Sequence, residues 1–241
     1  MKNFKISIDK CRVIFLDLEF YVPEPGRDKE GLCYNPWDKK CKFLGGSFFV
    51  ANPTKDFSAE ILVDSKAIQC LWLWDYKSEK ELLTVIYELL KEVYGLAKKG
   101  NNGRVSPILC GIGITSSDVP VLFDLFKRYK IMSNYDAFQF QSSFRVIDIS
   151  QLAIATFNNS SSFAYPKTKG HILNKYLPGK KIESGKVVWE LYESKKFDEI
   201  EFRVRDEIVC THLSYISILN DYKKFKNLEK NAKKHSKEIT P

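Results

Sequence analysis

The sequence predicts an α/β fold in one domain, residues 1–220, with a basic C-terminal tail over residues 221–241. Short continuous apolar runs bounded by turn residues, the pattern of strands buried on both faces, occur at 13–18 and 107–113, and a further strand is read at 144–149. Between and after them lie longer segments with apolar residues three and four apart, the pattern of helices packed on one side. The 241 residues are 44% hydrophobic and 14% aromatic, enough for one substantial core, and no stretch is poor enough in apolar residues to be a long linker.

The chain is organised around CRVIFLDLEFY, residues 11–21. Val13, Ile14, Phe15, Leu16 and Leu18 mark a central strand, and Asp17 and Glu19 interrupt it. Strand side chains alternate, so these two carboxylates share a face about 7 Å apart. Two like charges at the end of a buried strand are unfavourable unless a cation neutralises them, and the economical neutraliser is a divalent metal held by oxygen ligands. D-x-E is common by chance, and taken alone it reads better as a solvated strand end.

The excursion that follows, YVPEPGRDKEGLCYNPWDKKCK, is too long for a hairpin turn. Its Tyr21, Tyr34 and Trp37, with Arg27, Lys39, Lys40 and Lys42, either stack bases and hold phosphates or pin the loop to the body, and the sequence leaves both open. Residues 43–51, FLGGSFFVA, form the next strand, in which Gly45 and Gly46 indicate a bulge or the close approach of another backbone. Residues 59–63 read as a third strand. A helix follows whose start is marked by a capping box, Ser78 with Glu81. Its apolar stripe of Leu82, Leu83, Ile86, Leu89, Leu90 and Val93 runs out at Lys98, Lys99 and Gly100, and Trp72 and Trp74 are expected to pack beneath it.

After the strand at 107–113, Ser116 or Ser117 caps a helix that tolerates Pro120 in its first turn and carries Val121, Leu122, Leu125 and Phe126 on one side. Asp118 is thereby placed at a strand-to-helix junction, where open α/β sheets bind ligands, although alone it is an ordinary helix-start acid. A strand at 144–149, a helix beginning within 151–157, a polar linker and a short helix over 170–177 lead to a final helix over 198–219. That helix shows Ile200, Val204, Ile208, Leu213 and Ile216 on its apolar face. Asp206, in its middle, lies on the solvent edge or turns toward a cation.

The net charge of +8 suits an anionic partner, nucleic acid before acidic membrane. The tail holds seven lysines against three acids, about half the surplus, and reads as frayed helix or disorder, leaving a mildly basic body. The six cysteines form no C-x-x-C pair and read as reduced thiols, with Cys33 and Cys41 at most a weak metal half-site. The first ten residues lack the apolar stretch of a signal peptide and nothing approaches a membrane span, so a cytoplasmic protein with no membrane partner is expected.

Taken in order, D17-L-E19 on an apolar strand, G113-I-T-S-S-D118-V-P-V-L122 after a Gly-ended strand, and F202-R-V-R-D206-E-I-V-C-T211 on the last helix resemble the three motifs of the DEDD 3′-to-5′ exonucleases, in particular the exonuclease domains of family B DNA polymerases. The stretch K180-K181-I-E-S-G-K-V-V-W189-E-L-Y192 is similar to the family's approach to its final helix. The resemblance spans Arg12 to about Leu219 and implies an RNase H-like mixed five-stranded sheet flanked by helices. It implies two Mg²⁺ or Mn²⁺ ions, Asp17 bridging both, Glu19 and Asp206 each holding or orienting one, and Asp118 acting mainly through a water on the second. Such a pair, about 3.5–4 Å apart, activates a water and stabilises the leaving 3′ oxygen. Phe20, Arg203, Lys180 and Lys181 are the expected substrate-binding residues, and the expected substrate is a single-stranded 3′ end of DNA or RNA.

The family places a Tyr or His four or five residues before its last Asp to position the attacking water. Phe202 and Glu201 hold those places here. A phenyl ring cannot make that hydrogen bond, so Glu201 is the catalytic candidate. Loss of such assistance lowers a rate by about 10²- to 10⁴-fold. The expected function is therefore a metal-dependent 3′-to-5′ exonuclease. The alternative is a catalytically silent RNase H-like module that binds nucleic acid or a protein partner.

Overall fold

A computed structural model of the chain describes residues 6–27, 32–53, 66–152, 169–180 and 185–238, with side chains through residue 228 except at 225. Strands β1 (Val13–Tyr21), β2 (Lys42–Ala51), β3 (Ile68–Trp72), β4 (Ile108–Gly111) and β5 (Arg145–Asp148) form one mixed sheet in the order β3-β2-β1-β4-β5. The first three strands are antiparallel neighbours, whereas β4 runs parallel to both β1 and β5. Helices α1 (Glu79–Gly100), α2 (Asp118–Arg128), α3 (Asn134–Ser142), α4 (Ile149–Leu152), α5 (Lys169–Tyr176), α6 (Val187–Glu193) and α7 (Phe197–Glu238) flank it. This is the mixed five-stranded, helix-flanked arrangement expected of an RNase H-like sheet.

The alternation of β1 sorts its side chains between two cores. Ile14, Leu16 and Leu18 pack with Leu82, Leu83 and Ile86 of α1 and Leu122, Leu125 and Phe126 of α2. Val13 and Phe15 face the other way, onto Phe49 and onto Ile208, Val209 and Tyr215 of α7. Asp17 and Glu19 continue this second set, so both carboxylates point toward α7. The bulge expected at the glycine pair is present: Glu19 pairs with Gly45 and Phe20 with Phe43, a register shift that leaves Leu44 unpaired. Gly45 has φ +116°, and a Cβ there would lie 2.0 Å from the Leu71 carbonyl oxygen.

The Ser78 hydroxyl caps α1 by accepting from the Glu81 N–H (3.2 Å). The Glu81 carboxylate accepts from the Lys77 N–H (2.9 Å), one residue ahead of the usual capping-box partner. The third strand lies at 68–72, whereas residues 59–63 fall outside the described residues, as do the polar linker and most of 151–157. Trp72 and Trp74 do pack, but on the α7 side of the sheet and not beneath α1. Their rings stack at 5.0 Å, Trp74 stacks on Phe197 at 4.4 Å, and Trp72 joins Val188, Ile200 and Val204 in a third cluster.

Helix α3 carries no sequence signal of the amphipathic kind, because Ala137 is its one buried residue. In the loop after β1, Tyr34 is buried against Phe20 (4.4 Å between rings) and Arg27 lies over the rings of Tyr21 and Trp189. These residues pin the loop to the body, while Trp37 is exposed. Helix α7 continues past Leu219 to Glu238 without a break, so the basic segment is helical over that length. Among the described residues no helix is long and apolar enough to cross a membrane.

Candidate metal centre

Four elements meet at the carboxyl end of β1. The strand contributes Asp17 and Glu19, α2 contributes Asp118 as its first residue, α5 contributes Lys169 as its first residue, and α7 contributes Arg203 and Glu207. All six line one cavity of about 560 Å³, together with Phe20, Leu32 and Ser117. One carboxylate oxygen each from Asp17, Glu19 and Glu207 lies within 4.8 Å of the other two.

Asp118 is held rigidly. Strand β4 pairs with β1 no further than Phe15↔Cys110, and beyond that point the Leu18 N–H donates to Asp118 Oδ1 (2.8 Å). The Ser117 hydroxyl donates to Asp118 Oδ2. The turn leading into α2 is in turn organised by Asp148, which accepts from the Gly113 N–H (2.8 Å), the Thr115 N–H (3.0 Å) and hydroxyl (2.7 Å), and the Ser150 N–H (3.0 Å) and hydroxyl (2.6 Å). Burial alone would raise the Asp148 pKa, but the bonds from Ser150, Thr115 and Gly113 outweigh it and keep the carboxylate below its ordinary range.

Two cations bridge the acids. Lys169 Nζ lies 3.2 Å from Asp17 Oδ1 and also bonds Glu207 Oε2. The Arg203 guanidinium reaches Glu19 Oε1 at 2.8 Å and Glu207 Oε1 at 2.6 Å. These do not balance four carboxylates. Burial, then the Asp17 charge, raise Glu19 to about 8 against the opposing pull of Arg203. The same two causes raise Asp118 to about 6 and Glu207 to about 7. Burial lowers Lys169, but Asp17 and Glu207 outweigh it and keep its ammonium charged. Burial and mutual repulsion thus favour the protonated form of these acids, and a bound cation would favour the ionised form.

The acidic triad of Asp17, Glu19 and Glu207 can hold a metal ion. All three residues are buried, and Asp17 Oδ2 is a fully buried oxygen with no hydrogen-bond partner.

No family model and no curated protein matches this chain.

Asp17, Glu19 and Asp118 are brought together as the sequence suggests, but Asp206 is not. Its carboxylate pairs with Lys180 Nζ at 2.8 Å, with both side chains partly exposed. Glu207 takes its place, for a reason of helix phase. At about 100° per residue, Asp206 stands about 200° from the buried Val204, on the far side of α7, whereas Glu207 stands about 300° on, only 60° short of a full turn. The stripe of Ile200, Val204 and Ile208 was sufficient to make that distinction. Glu201 is also outside the centre, paired with Arg205 at 3.5 Å. Phe202 is 71% exposed and does not edge the cavity. Of the expected substrate-binding residues, Phe20 lines the cavity and Arg203 is engaged with Glu19 and Glu207. Lys180 is engaged with Asp206, and Lys181 lies outside the described residues. Lys169 was missed because nothing in its local sequence, KTKGHIL, separates it from a surface lysine.

Proposed function

We propose that the protein is a metal-dependent nuclease that removes nucleotides from the 3′ end of a nucleic acid strand. The observation that supports this reading is the convergence of Asp17, Glu19, Asp118 and Glu207 on one cavity, with the buried Asp17 Oδ2 left without a hydrogen-bond partner. Asp17, Glu19 and Glu207 would hold Mg²⁺ or Mn²⁺. A divalent ion bound there supplies Lewis acidity toward a phosphodiester and a more acidic water.

The chain's own residues complete the assignment. Lys169 and Arg203 present an ammonium and a guanidinium to the same cavity, the donors that phosphate oxygens take. Asp118, fixed by Leu18 and Ser117, keeps its carboxylate in one orientation, so it need not be ordered at the moment of reaction. Phe20 and Leu32 give the cavity an apolar wall against which a base or sugar can lie. With Glu207 in the place of the family's last Asp, the residue four before it is Arg203, where the family keeps a Tyr. A guanidinium can donate to a water or a phosphate oxygen but cannot accept a proton.

That substitution favours a second reading, a catalytically silent module that binds nucleic acid. A 5′-labelled single strand incubated with Mn²⁺ distinguishes the two. Stepwise shortening from the 3′ end, abolished by Asp17→Asn, supports the nuclease. Binding without shortening supports the silent module, and neither binding nor shortening of DNA or RNA overturns both.

A further inference from the structure

We infer that the centre takes one divalent ion and that Lys169 supplies the second positive charge that a two-ion centre would take from a second metal, an inference that rests on the metal-dependent reading above.

Charge and donor capacity both lead there. With all four acids ionised, as a bound cation requires, Asp17, Glu19, Asp118 and Glu207 carry four negative charges and Lys169 and Arg203 two positive ones, so the six charged side chains of the cavity leave two negative charges, the complement of one divalent ion. A second ion would leave the centre with a net charge of plus two before any substrate arrived, in a site where the acids are almost wholly buried.

The ligand atoms agree. One carboxylate oxygen from each of Asp17, Glu19 and Glu207 lies within 4.8 Å of the other two, and Asp17 Oδ2 carries no hydrogen bond that an ion would have to displace. A single ion with metal–oxygen distances of about 2.0–2.4 Å spans such a set. A second ion would draw on Asp118 and the other oxygen of Asp17. Both Asp118 oxygens already accept protein donors, from Leu18 and Ser117, and Asp17 Oδ1 faces Lys169 Nζ at 3.2 Å. The ammonium is not a passing surface group. Lys169 opens α5, whose Ile172, Leu173 and Tyr176 are buried in the core, and its Nζ bridges Asp17 and Glu207. A lysine in this position is a permanent monovalent charge that needs no metal to be present and remains a donor to a phosphate oxygen.

Titration of the metal-free wild-type protein with Mn²⁺, following free Mn²⁺ by electron paramagnetic resonance, tests this without any activity readout. One tight Mn²⁺ per chain is expected in wild type. Lys169→Met, which restores a third uncompensated negative charge, is expected to bind its first Mn²⁺ about tenfold or more tightly and to admit a second. Two tight ions in wild type would overturn the inference while leaving the nuclease reading intact. One ion in both proteins at the same affinity would overturn the role given to Lys169. No tight ion in either protein would overturn the inference together with the metal-dependent reading on which it rests. If Lys169→Met does not fold, the wild-type stoichiometry and Lys169→Gln decide the matter.

Discussion

Exchanging the neighbours Asp206 and Glu207 for uncharged residues separates a surface ion pair from a buried one. Asp206 and Lys180 have side chains 31% and 40% exposed. Such a pair contributes about 0–1 kcal/mol, so Asp206→Asn is expected to move Tm by at most about 2–4 °C. The Glu207 side chain is 2% exposed and faces both Lys169 and Arg203. Removing one partner of a buried pair typically destabilises by about 3–5 kcal/mol. Here Asp17 and Glu19 still hold both cations, and the repulsion between Glu207 and Asp17 is relieved, so about 2–3 kcal/mol, or about 4–12 °C, is expected for Glu207→Ala. The decisive measurement adds metal. At a hundred times its dissociation constant, an ion that binds only the folded state stabilises by about 2.7 kcal/mol. Differential scanning calorimetry with Mn²⁺ against EDTA should show that rise in wild type and in Asp206→Asn, and no rise in Glu207→Ala. A rise lost in Asp206→Asn and kept in Glu207→Ala would refute the phase argument for α7.

Other expectations follow from single groups. Glu19, Asp118 and Glu207 all have folded-state pKa values raised above those of the unfolded chain, so between about pH 4 and 8 the folded protein holds more protons. Without metal its stability should therefore fall as pH rises through that window, and millimolar Mg²⁺ should flatten the fall; urea midpoints at pH 5.5 and 8.5 that are equal in EDTA would contradict this. At Gly46 a Cβ would lie 2.4 Å from the Asp17 carbonyl oxygen, so Gly46→Ala must move the β1 backbone beside the centre. A loss of about 1–3 kcal/mol is expected by denaturant titration, with a weakened Mn²⁺ response. Phe202 is largely exposed, so Phe202→Tyr should leave both Tm and Mn²⁺ affinity unchanged; an effect on either would place that ring against the centre after all.

The β1 motif shows how far local pattern reaches. An apolar run broken at alternate positions is enough to establish a central strand with two carboxylates on one face, because the side-chain period of a strand is two in any context. The Gly45–Gly46 bulge and the Ser78 cap were legible for the same reason, since each is imposed by backbone sterics or by unsatisfied N–H groups within a few residues, whereas the helix beginning at Asp118 lacks the expected serine cap, the Ser116 and Ser117 hydroxyls donating to the Gly113 carbonyl instead. Helix α3 was not legible, because a helix with a single buried residue has no stripe to read.

Which charges meet at the end of β1 is a different matter. That Asp206 faces Lys180 while Glu207 enters the centre depends on the phase with which α7 docks on the sheet, and a shift of one residue turns a helix by about 100°. The stripe of Ile200, Val204 and Ile208 contained that phase, but the family-like spacing from Phe202 to Asp206 pointed to the other acid. Lys169 could not be found in the sequence at all. It comes within 3.2 Å of Asp17 across 152 positions of chain only because α5 packs on α7 beside the same strand end. Sequence by itself determined the fold class, the strand that carries the acids and the need for a neutralising cation. The tertiary structure alone decided that part of the neutralisation is already built in as Lys169 and Arg203, because electrostatic pairing depends on distance in space, which local pattern does not encode.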